Sequence, residues 1–510
     1  MAASFPPYDQ APPAPRPLLI GDVFRNNAAV VPDRVAAALG ARTLTHGELD
    51  RAANRTARAL RELGVVKGDR IVVWADTSLE LVPLFAAAAK LGAVFAPVNA
   101  RLTAREAERL AQIVRPRIVI TDLERAKAAP PLATSCGAYL AHLGESGTTR
   151  PNLSLAALPA DDADVTEPKL RDSDPHVIFF TSGSTGQSKG VVLSHRASWL
   201  RGFQGVFHDQ PRRTVCMFPM FHMAPWTLAL AAWQTRGEIA FVQTPTPDAL
   251  LSAIEHRRAN HFYGIPLIWA RLLEAEIGRY DLSSLRDLDT GTSAVPIELV
   301  RRLRERFPAC TLRIYYGATE TGTASALSHA DVLRKPGSVG LAPPGGELRI
   351  ADDGELLVRS PYLLASYFED AAATYAALEG GWFHSGDIGE LDSDGYLSII
   401  GRKKDVIRSG GESIAPAEVE EVLGTAPGVQ EVAVVGLPEP QWGEQVCAVV
   451  VPAPGVTLTL DALRKHCEDK LASFKHPRRL ELVSELPRTE ATRQVLRALL
   501  VERILSGPKP

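Results

Sequence analysis

Eight of the ten residues in the run TSGSTGQSKG, 181–190, are Thr, Ser or Gly, and a lysine, Lys189, follows them before the closing glycine. A chain of small residues lets several backbone N–H groups turn toward one anion, hydroxyls add donors, and an ammonium supplies a point charge. Thr181, Ser182, Gly183, Ser184, Thr185, Gly186 and Lys189 are therefore candidates to enclose a phosphate. A Walker A loop needs Gly-Lys-Ser/Thr and a helix directly after it. Here Ser188 precedes the lysine, Gly190 follows it, and VVLSH continues in β-branched residues, which excludes that motif. A plain Gly/Ser turn has the same local composition, so distant segments must decide.

Four further runs hold residue types that do chemistry. FPMFHMAPW carries His222, TGTSAVP carries Thr290, Gly291 and Thr292, and YYGATETG carries Tyr315, Tyr316, Gly317, Thr319 and Glu320. The longest, GWFHSGDIGELDSDGYLSIIGRKKDVIRSGGESIAPAEVE, carries Asp387, Arg402, Lys404 and Arg408. Taken singly, a histidine among apolar residues is a core group, a loop glutamate is solvated and RKKD is a positive turn. In this order the motifs resemble the adenylate-forming superfamily of acyl-CoA synthetases, aryl-CoA ligases, luciferases and peptide-synthetase adenylation domains, and the resemblance spans roughly residues 20–500.

The resemblance implies a two-step reaction. A carboxylate oxygen attacks the α-phosphorus of ATP, pyrophosphate leaves, and the acyl adenylate passes its acyl group to the thiol of coenzyme A. It places residues 181–186 and Lys189 around the β and γ phosphates, Glu320 on Mg2+ with Thr185 as a second metal-site residue, and Thr319 at the α-phosphate. A hard cation on one carboxylate and phosphate oxygens is ordinary magnesium chemistry. Tyr316 is implied as the aromatic on adenine, with Tyr315, Gly317, Thr290, Gly291 and Thr292 lining the nucleotide site. Asp387, helped by Arg402, is implied to hold the ribose hydroxyls. His222 is implied to approach the substrate carboxylate; Met223, Ala224, Trp226, Gly291 and Tyr315 are implied as pocket wall, with bulk suited to a short or planar acid. Lys404 matches the hinge, and Arg408, Ser409, Gly410, Gly411, Glu412 and Trp442 match the path of CoA.

One departure stands out. The superfamily carries a C-terminal lysine that reaches the α-phosphate and carboxylate, whereas this chain reads LPRTEATRQVLRALL. Arg493 takes its place in ungapped register, Gln494 with one residue inserted. A planar guanidinium is not a conservative substitute for a compact ammonium. Two other readings stay open at this stage: adenylation serving a carrier-protein thiol, an amine or a small oxyanion such as nitrite, and a nucleotide- or acyl-binding homologue without catalysis.

Positioning these groups takes more than one core, because 510 residues exceed what one hydrophobic core serves. Helical stretches such as GELDRAANRTARALRELG alternate with RIVVWA and RIVIT up to residue 122, which predicts a largely parallel sheet. A second alternation runs from residue 177 to 313, with GEIAFVQ and TLRIYY as strands and PDALLSAIEHRRAN as a helix. Residues 130–173 show weak periodicity and read as surface. Past residue 337, short strands and Gly-Asp turns predict an antiparallel unit. The last 105 residues or so read as βαβ alternation. The expected fold is α/β: a large N-terminal lobe of two βαβ-type subdomains plus a small β unit, then a hinged small α+β C-terminal domain. Boundaries fall at 1–18, a mobile Pro-rich lead-in, 19–403, the AMP-binding domain, and 404–510.

The 56 Lys and Arg nearly balance the 59 Asp and Glu, which removes any global argument for nucleic acid as a partner. The most apolar stretch is broken by Pro83, Lys90 and Gly92, so no membrane span is expected. Five scattered cysteines and no secretory leader favour a cytoplasmic setting. The implied partners are a small carboxylic acid, ATP and CoA, with homo-oligomerisation left open.

Overall fold

The computed structural model of the chain describes residues 16–144, 151–153, 157–182, 188–203, 210–293, 295–402, 407–414, 416–487, 495 and 497–506, with the backbone alone for 182, 400–402, 417 and 498. Gly183, Ser184, Thr185, Gly186, Lys404, Arg493 and Gln494 lie outside the described residues, as does most of the Pro-rich lead-in.

Two large, mostly parallel sheets make the N-terminal lobe. The seven-stranded sheet runs Ser366–Tyr367, Ser188–Ser194, Pro175–Ser182, Val94–Val98, Arg70–Trp74, Ile118–Thr121, Tyr139–His142. The eight-stranded sheet runs Gly322–Leu327, Thr311–Ala318, Asp287–Gly291, His261–Tyr263, Arg213–Cys216, Glu238–Phe241, Val35–Leu39, Arg42–Thr45. Two sequence blocks do not map onto two sheets. The hairpin of residues 175–194 closes the first sheet, although it opens the second alternation, and residues 35–45 pair into the second. Residues 130–173 also differ from the expected bare surface: the helix Ala129–Ser135 and the strand Tyr139–His142 finish the first sheet.

The helix Leu81–Leu91 is buried at every position between these sheets. Phe85 stacks on Trp226 at 4.2 Å and packs near Trp233, both on the helix Met223–Gln234. Lys90, inside this apolar helix, is neutralised by Asp50 at 2.7 Å and Asp164 at 3.1 Å and donates to Asn54 Oδ1 at 2.6 Å. A buried ammonium is tolerable only with such partners.

A five-stranded antiparallel sheet follows, built on the predicted hairpins Glu347–Ile350 with Glu355–Arg359 and Phe383–Leu391 with Leu397–Arg402. The C-terminal sheet begins at Ile407–Ser409. Its strands Val429–Glu439 and Gly443–Pro452 form an antiparallel hairpin rather than the expected βαβ crossover, because three residues cannot carry a chain back to a parallel start. The parallel contact comes later, from Arg479–Leu482.

Candidate active site

The edges of the two large sheets meet at the phosphate-loop candidate. Thr181 pairs with Lys189 across the antiparallel hairpin Pro175–Ser182 and Ser188–Ser194. The short strand Ser366–Tyr367 lies alongside, and Lys189 Nζ sits 4.7 Å from the Tyr367 ring centroid, within cation–π range. From the other sheet, the turn between Thr311–Ala318 and Gly322–Leu327 presents Thr319 and Glu320. Glu320 Oε1 accepts from Thr181 Oγ1 at 3.3 Å and from Tyr367 Oη at 3.2 Å. Burial and the Glu320 carboxylate push the Tyr367 hydroxyl up, so it stays a donor. Glu320 and the phosphate hairpin, 130 or more residues apart, thus form one constellation.

Gly317 permits that turn: a Cβ there would lie 1.9 Å from Gly322 O. Beneath it, Arg201 on the helix His195–Gly202 donates to the carbonyls of Thr319 (2.8 Å), Glu320 (2.8 Å) and Tyr362 (2.9 Å) and lies 3.1 Å from Met223 Sδ. Burial lowers the Arg201 guanidinium to about 9, still charged at neutral pH. Neither Arg201 nor Tyr367 was legible as a site residue in the sequence. An arginine on a short helix and a tyrosine in a two-residue strand carry no motif.

Beside the turn, Tyr316 Oη donates to Asp387 Oδ2 at 2.5 Å, and Asp387 pairs in register with Arg402. Thr290 is fully buried, Gly291 follows it, and Thr292 has φ +68°, a strained conformation for a β-branched residue. A Cβ on Gly291 would meet Tyr315 O at 2.2 Å and Tyr263 Oη at 2.6 Å, so the backbone can pass there only as glycine. The Tyr263 and Tyr315 rings lie 6.1 Å apart, and Phe218 meets Tyr263 edge-on at 5.6 Å. Behind them, buried Asp289 accepts from His261 Nε2 at 2.8 Å and from Arg212 at 3.2 Å.

His222 caps the helix Met223–Gln234, leaving His222, Met223 and Ala224 half-buried at its mouth. Trp226 does not join them. It is 2% exposed, donates from Nε1 to Met220 O at 2.7 Å and stacks on Phe85 in the core, so the expectation that it walls the pocket is incorrect. The reason is the face it occupies: Trp226 lies on the side of the helix turned to Phe85 and Phe95, and periodicity alone does not tell that face from the mouth.

The C-terminal domain brings its own group to this mouth. Arg408, Ser409, Gly410 and Gly411 form a hairpin with Glu412, with Gly410 at φ +59° where a Cβ would meet the Trp442 ring at 2.8 Å. Gly410 N donates to Trp442 O, and Arg478 lies 4.7 Å over the Trp442 ring. Glu412 turns into the N-terminal lobe, its Oε1 lying 3.7 Å from His222 Nε2 and 2.9 Å from Arg101. Burial alone would raise the Glu412 carboxyl, but His222, Arg101 and Lys475 outweigh it and hold it below the usual range. The sequence-predicted nucleotide, acid and CoA residues that are described therefore lie in two clusters that touch through Glu412 and His222.

The family model for AMP-binding enzymes matches residues 24–368, and that for the AMP-binding enzyme C-terminal domain matches 418–493. The chain is 34% identical to an indoleacetate–CoA ligase of Aromatoleum aromaticum, over 91% of this chain and 94% of that protein. It is 33% identical to a long-chain-fatty-acid–CoA ligase of Mycobacterium tuberculosis, over 95% of this chain and 98% of that protein. The fold aligns with the amide bond synthetase McbA of Marinactinospora thermotolerans at a TM-score of 0.85 and 27% identity, over 94% of this chain and 99% of that chain. No helix among the described residues is long and apolar enough to cross a membrane. With both family models matched in order and the CoA ligases aligned along nearly the whole length, the chain belongs to the AMP-binding enzymes and is an ATP-dependent carboxylate–CoA ligase, an AMP-forming acid–thiol ligase.

Proposed function

We infer that this ligase activates a planar aromatic carboxylic acid. The observation that carries the reading is the aromatic group Phe218, Tyr263 and Tyr315 packed around the glycine gap at Gly291. Aromatic rings favour offset or edge contacts with another ring, worth about 0.5–1.5 kcal/mol each beyond area burial. Tyr315 and Met223 then wall the acid site, and His222 meets its carboxylate.

The remaining roles are those that membership of the family implies for the matching residues. Lys189 and Thr181, with residues 182–186, hold the departing phosphates, and Thr319 faces the α-phosphate. Charge that builds on phosphate oxygens would be met by these donors, which is how this class of step is accelerated. Tyr316 lies against adenine; Asp387 and Arg402 take the ribose hydroxyls, an acceptor pair suited to vicinal donors. The Glu320 carboxylate fits Mg2+: one oxygen is held by Thr181 and Tyr367, and the other accepts no hydrogen bond among the described residues. Bound there, with Thr185 as the second residue the family resemblance implies, the ion would neutralise phosphate charge as a hard Lewis acid. Arg408, Ser409, Gly410, Gly411 and Trp442 flank the thiol's path, with Lys404 as hinge between residues 19–403 and 404–510, and Arg493 or Gln494 stands where the superfamily lysine would act.

The test is a panel of phenylacetate, indole-3-acetate, a hydroxycinnamate, butyrate and decanoate with ATP, Mg2+ and CoA, scored by thioester formation. An aromatic acid should give the highest kcat/KM by at least tenfold; decanoate or butyrate leading would refute the aromatic assignment. Lys189→Ala should abolish most pyrophosphate release.

A further inference from the structure

One N-terminal segment grips the C-terminal domain twice. It leaves the strand Val94–Val98 and enters the helix Ala104–Val114. At its start, Arg101 Nη1 donates to Glu412 Oε1 at 2.9 Å and Asn99 Nδ2 to Glu412 Oε2 at 3.4 Å. At its end, Glu106 divides its carboxylate. Oε2 accepts from Thr103 N (2.9 Å) and Thr103 Oγ1 (2.8 Å), completing a capping box, while Oε1 crosses the domain boundary to accept from Lys475 Nζ (3.1 Å) and Ala472 N (3.2 Å). Lys475 in turn donates to Glu418 Oε1 at 2.7 Å in its own domain. Glu106 is 4% and Lys475 7% exposed, so this ammonium is buried between carboxylates from both domains.

Such a pair is a poor choice for generic stability, since desolvating both charges offsets most of their attraction. It is a good choice for selecting one arrangement, because Glu106 Oε1 meets Lys475 Nζ and Ala472 N together only when the domains sit in this register, and moving them apart removes both of its buried donors at once. The arrangement selected is the one in which the loop Ser409–Glu412 faces His222. We propose that Glu106 and Lys475 are positioning residues for the thioester-forming half-reaction: they latch the C-terminal domain so that the CoA-side loop stands at the acid site, and they take no part in adenylate formation. This rests on the CoA-ligase activity. Glu412 is held by the same segment, so the latch and the loop register together.

The experiment uses the full-length enzyme with the acid that leads the panel above, and separates the two steps. Pyrophosphate release without CoA reports the first; thioester formed when preformed enzyme-bound adenylate is mixed with CoA reports the second. Lys475→Met and Glu106→Gln should each slow the second step about tenfold or more and leave the first within about twofold, since the lost population is that of one domain arrangement. Glu106→Gln keeps a carbonyl for the capping box, so a folding failure of Lys475→Met does not end the test. The double variant should lose less than the product of the single losses, as coupled partners do. Small-angle scattering of the ligand-free variants should show a larger radius of gyration than the unaltered enzyme. Equal loss in both steps, or no loss in the second, or unchanged scattering, would overturn the latch. An unaltered enzyme that releases pyrophosphate yet makes no thioester would overturn the CoA reading instead, while the scattering comparison still decides the latch.

Discussion

Replacing Trp226 by alanine separates a core role from a pocket role. The indole is 2% exposed, stacked on Phe85 at 4.2 Å with an interplanar angle of 12°, set edge-on to Phe95 at 5.2 Å, and hydrogen-bonded to Met220 O. A side chain of this kind removes roughly 150–250 Å² from water, about 4–6 kcal/mol at ~25 cal/mol/Å². Measured truncations of buried aromatics cost about 3–5 kcal/mol, and the unpaired Met220 carbonyl adds about 1 kcal/mol. The expected loss is thus about 5 kcal/mol, a large share of the usual margin for a folded domain. Trp226→Phe should lose far less, because the stack survives and the indole N–H bond does not. The assay is the apparent Tm by differential scanning fluorimetry, read beside kcat/KM for phenylacetate and decanoate. Both acids should fall together as the folded fraction falls, with their ratio within about threefold of the unaltered enzyme. Tyr315→Ala, by contrast, should move that ratio by tenfold, about 1.4 kcal/mol of differential binding. If Trp226→Ala shifted the ratio tenfold with Tm unchanged, the indole would face the acid and its placement in the core would be wrong.

Gly317→Ala forces a methyl group to 1.9 Å from Gly322 O, so the turn bearing Thr319 and Glu320 must move; pyrophosphate release should fall by at least about tenfold, while CoA transfer from supplied adenylate falls less. Arg201→Met leaves the Thr319 and Tyr362 carbonyls without their charged donor and should lower stability by about 3 kcal/mol, read as a drop in denaturation midpoint, with loss of adenylation. Acid should destabilise the N-terminal lobe before its carboxylates titrate. Burial holds His176 well below its usual range and His195 down to about 4. The unfolded chain takes up those protons near pH 6.5 and the folded chain does not. Stability is therefore full above pH 6.5 and declines toward pH 4, by about 3 kcal/mol for His195 alone. His195→Asn should flatten the decline of Tm between pH 7 and 5; an unchanged slope would remove His195 from the account.

Local signals served the hairpins and helices well. The helices His46–Glu62 and Pro247–His256 and the Gly-Asp turns after residue 337 follow from neighbouring residues alone. The errors share a cause. Residues 175–194 opened the second alternation yet pair into the first sheet, the last hairpin was read as βαβ, and Trp226 was read as pocket wall. In each case periodicity reports which residues are apolar but not which surface they meet.

The order of the motifs along the chain determined the superfamily and, through that resemblance, the expected two-step chemistry, because a run of small residues with one lysine is by itself also a plain turn and only the distant motifs separate the two. It also announced the missing C-terminal lysine. Tertiary structure decided the rest: that Thr181 and Tyr367 both donate to Glu320, that Arg201 clamps the Thr319–Glu320 turn from below, and that Glu106 reaches Lys475 across 369 positions. Those contacts join side chains from separate sheets and domains, and a hydrogen bond of about 3 Å depends on strand order and domain placement that no local pattern encodes.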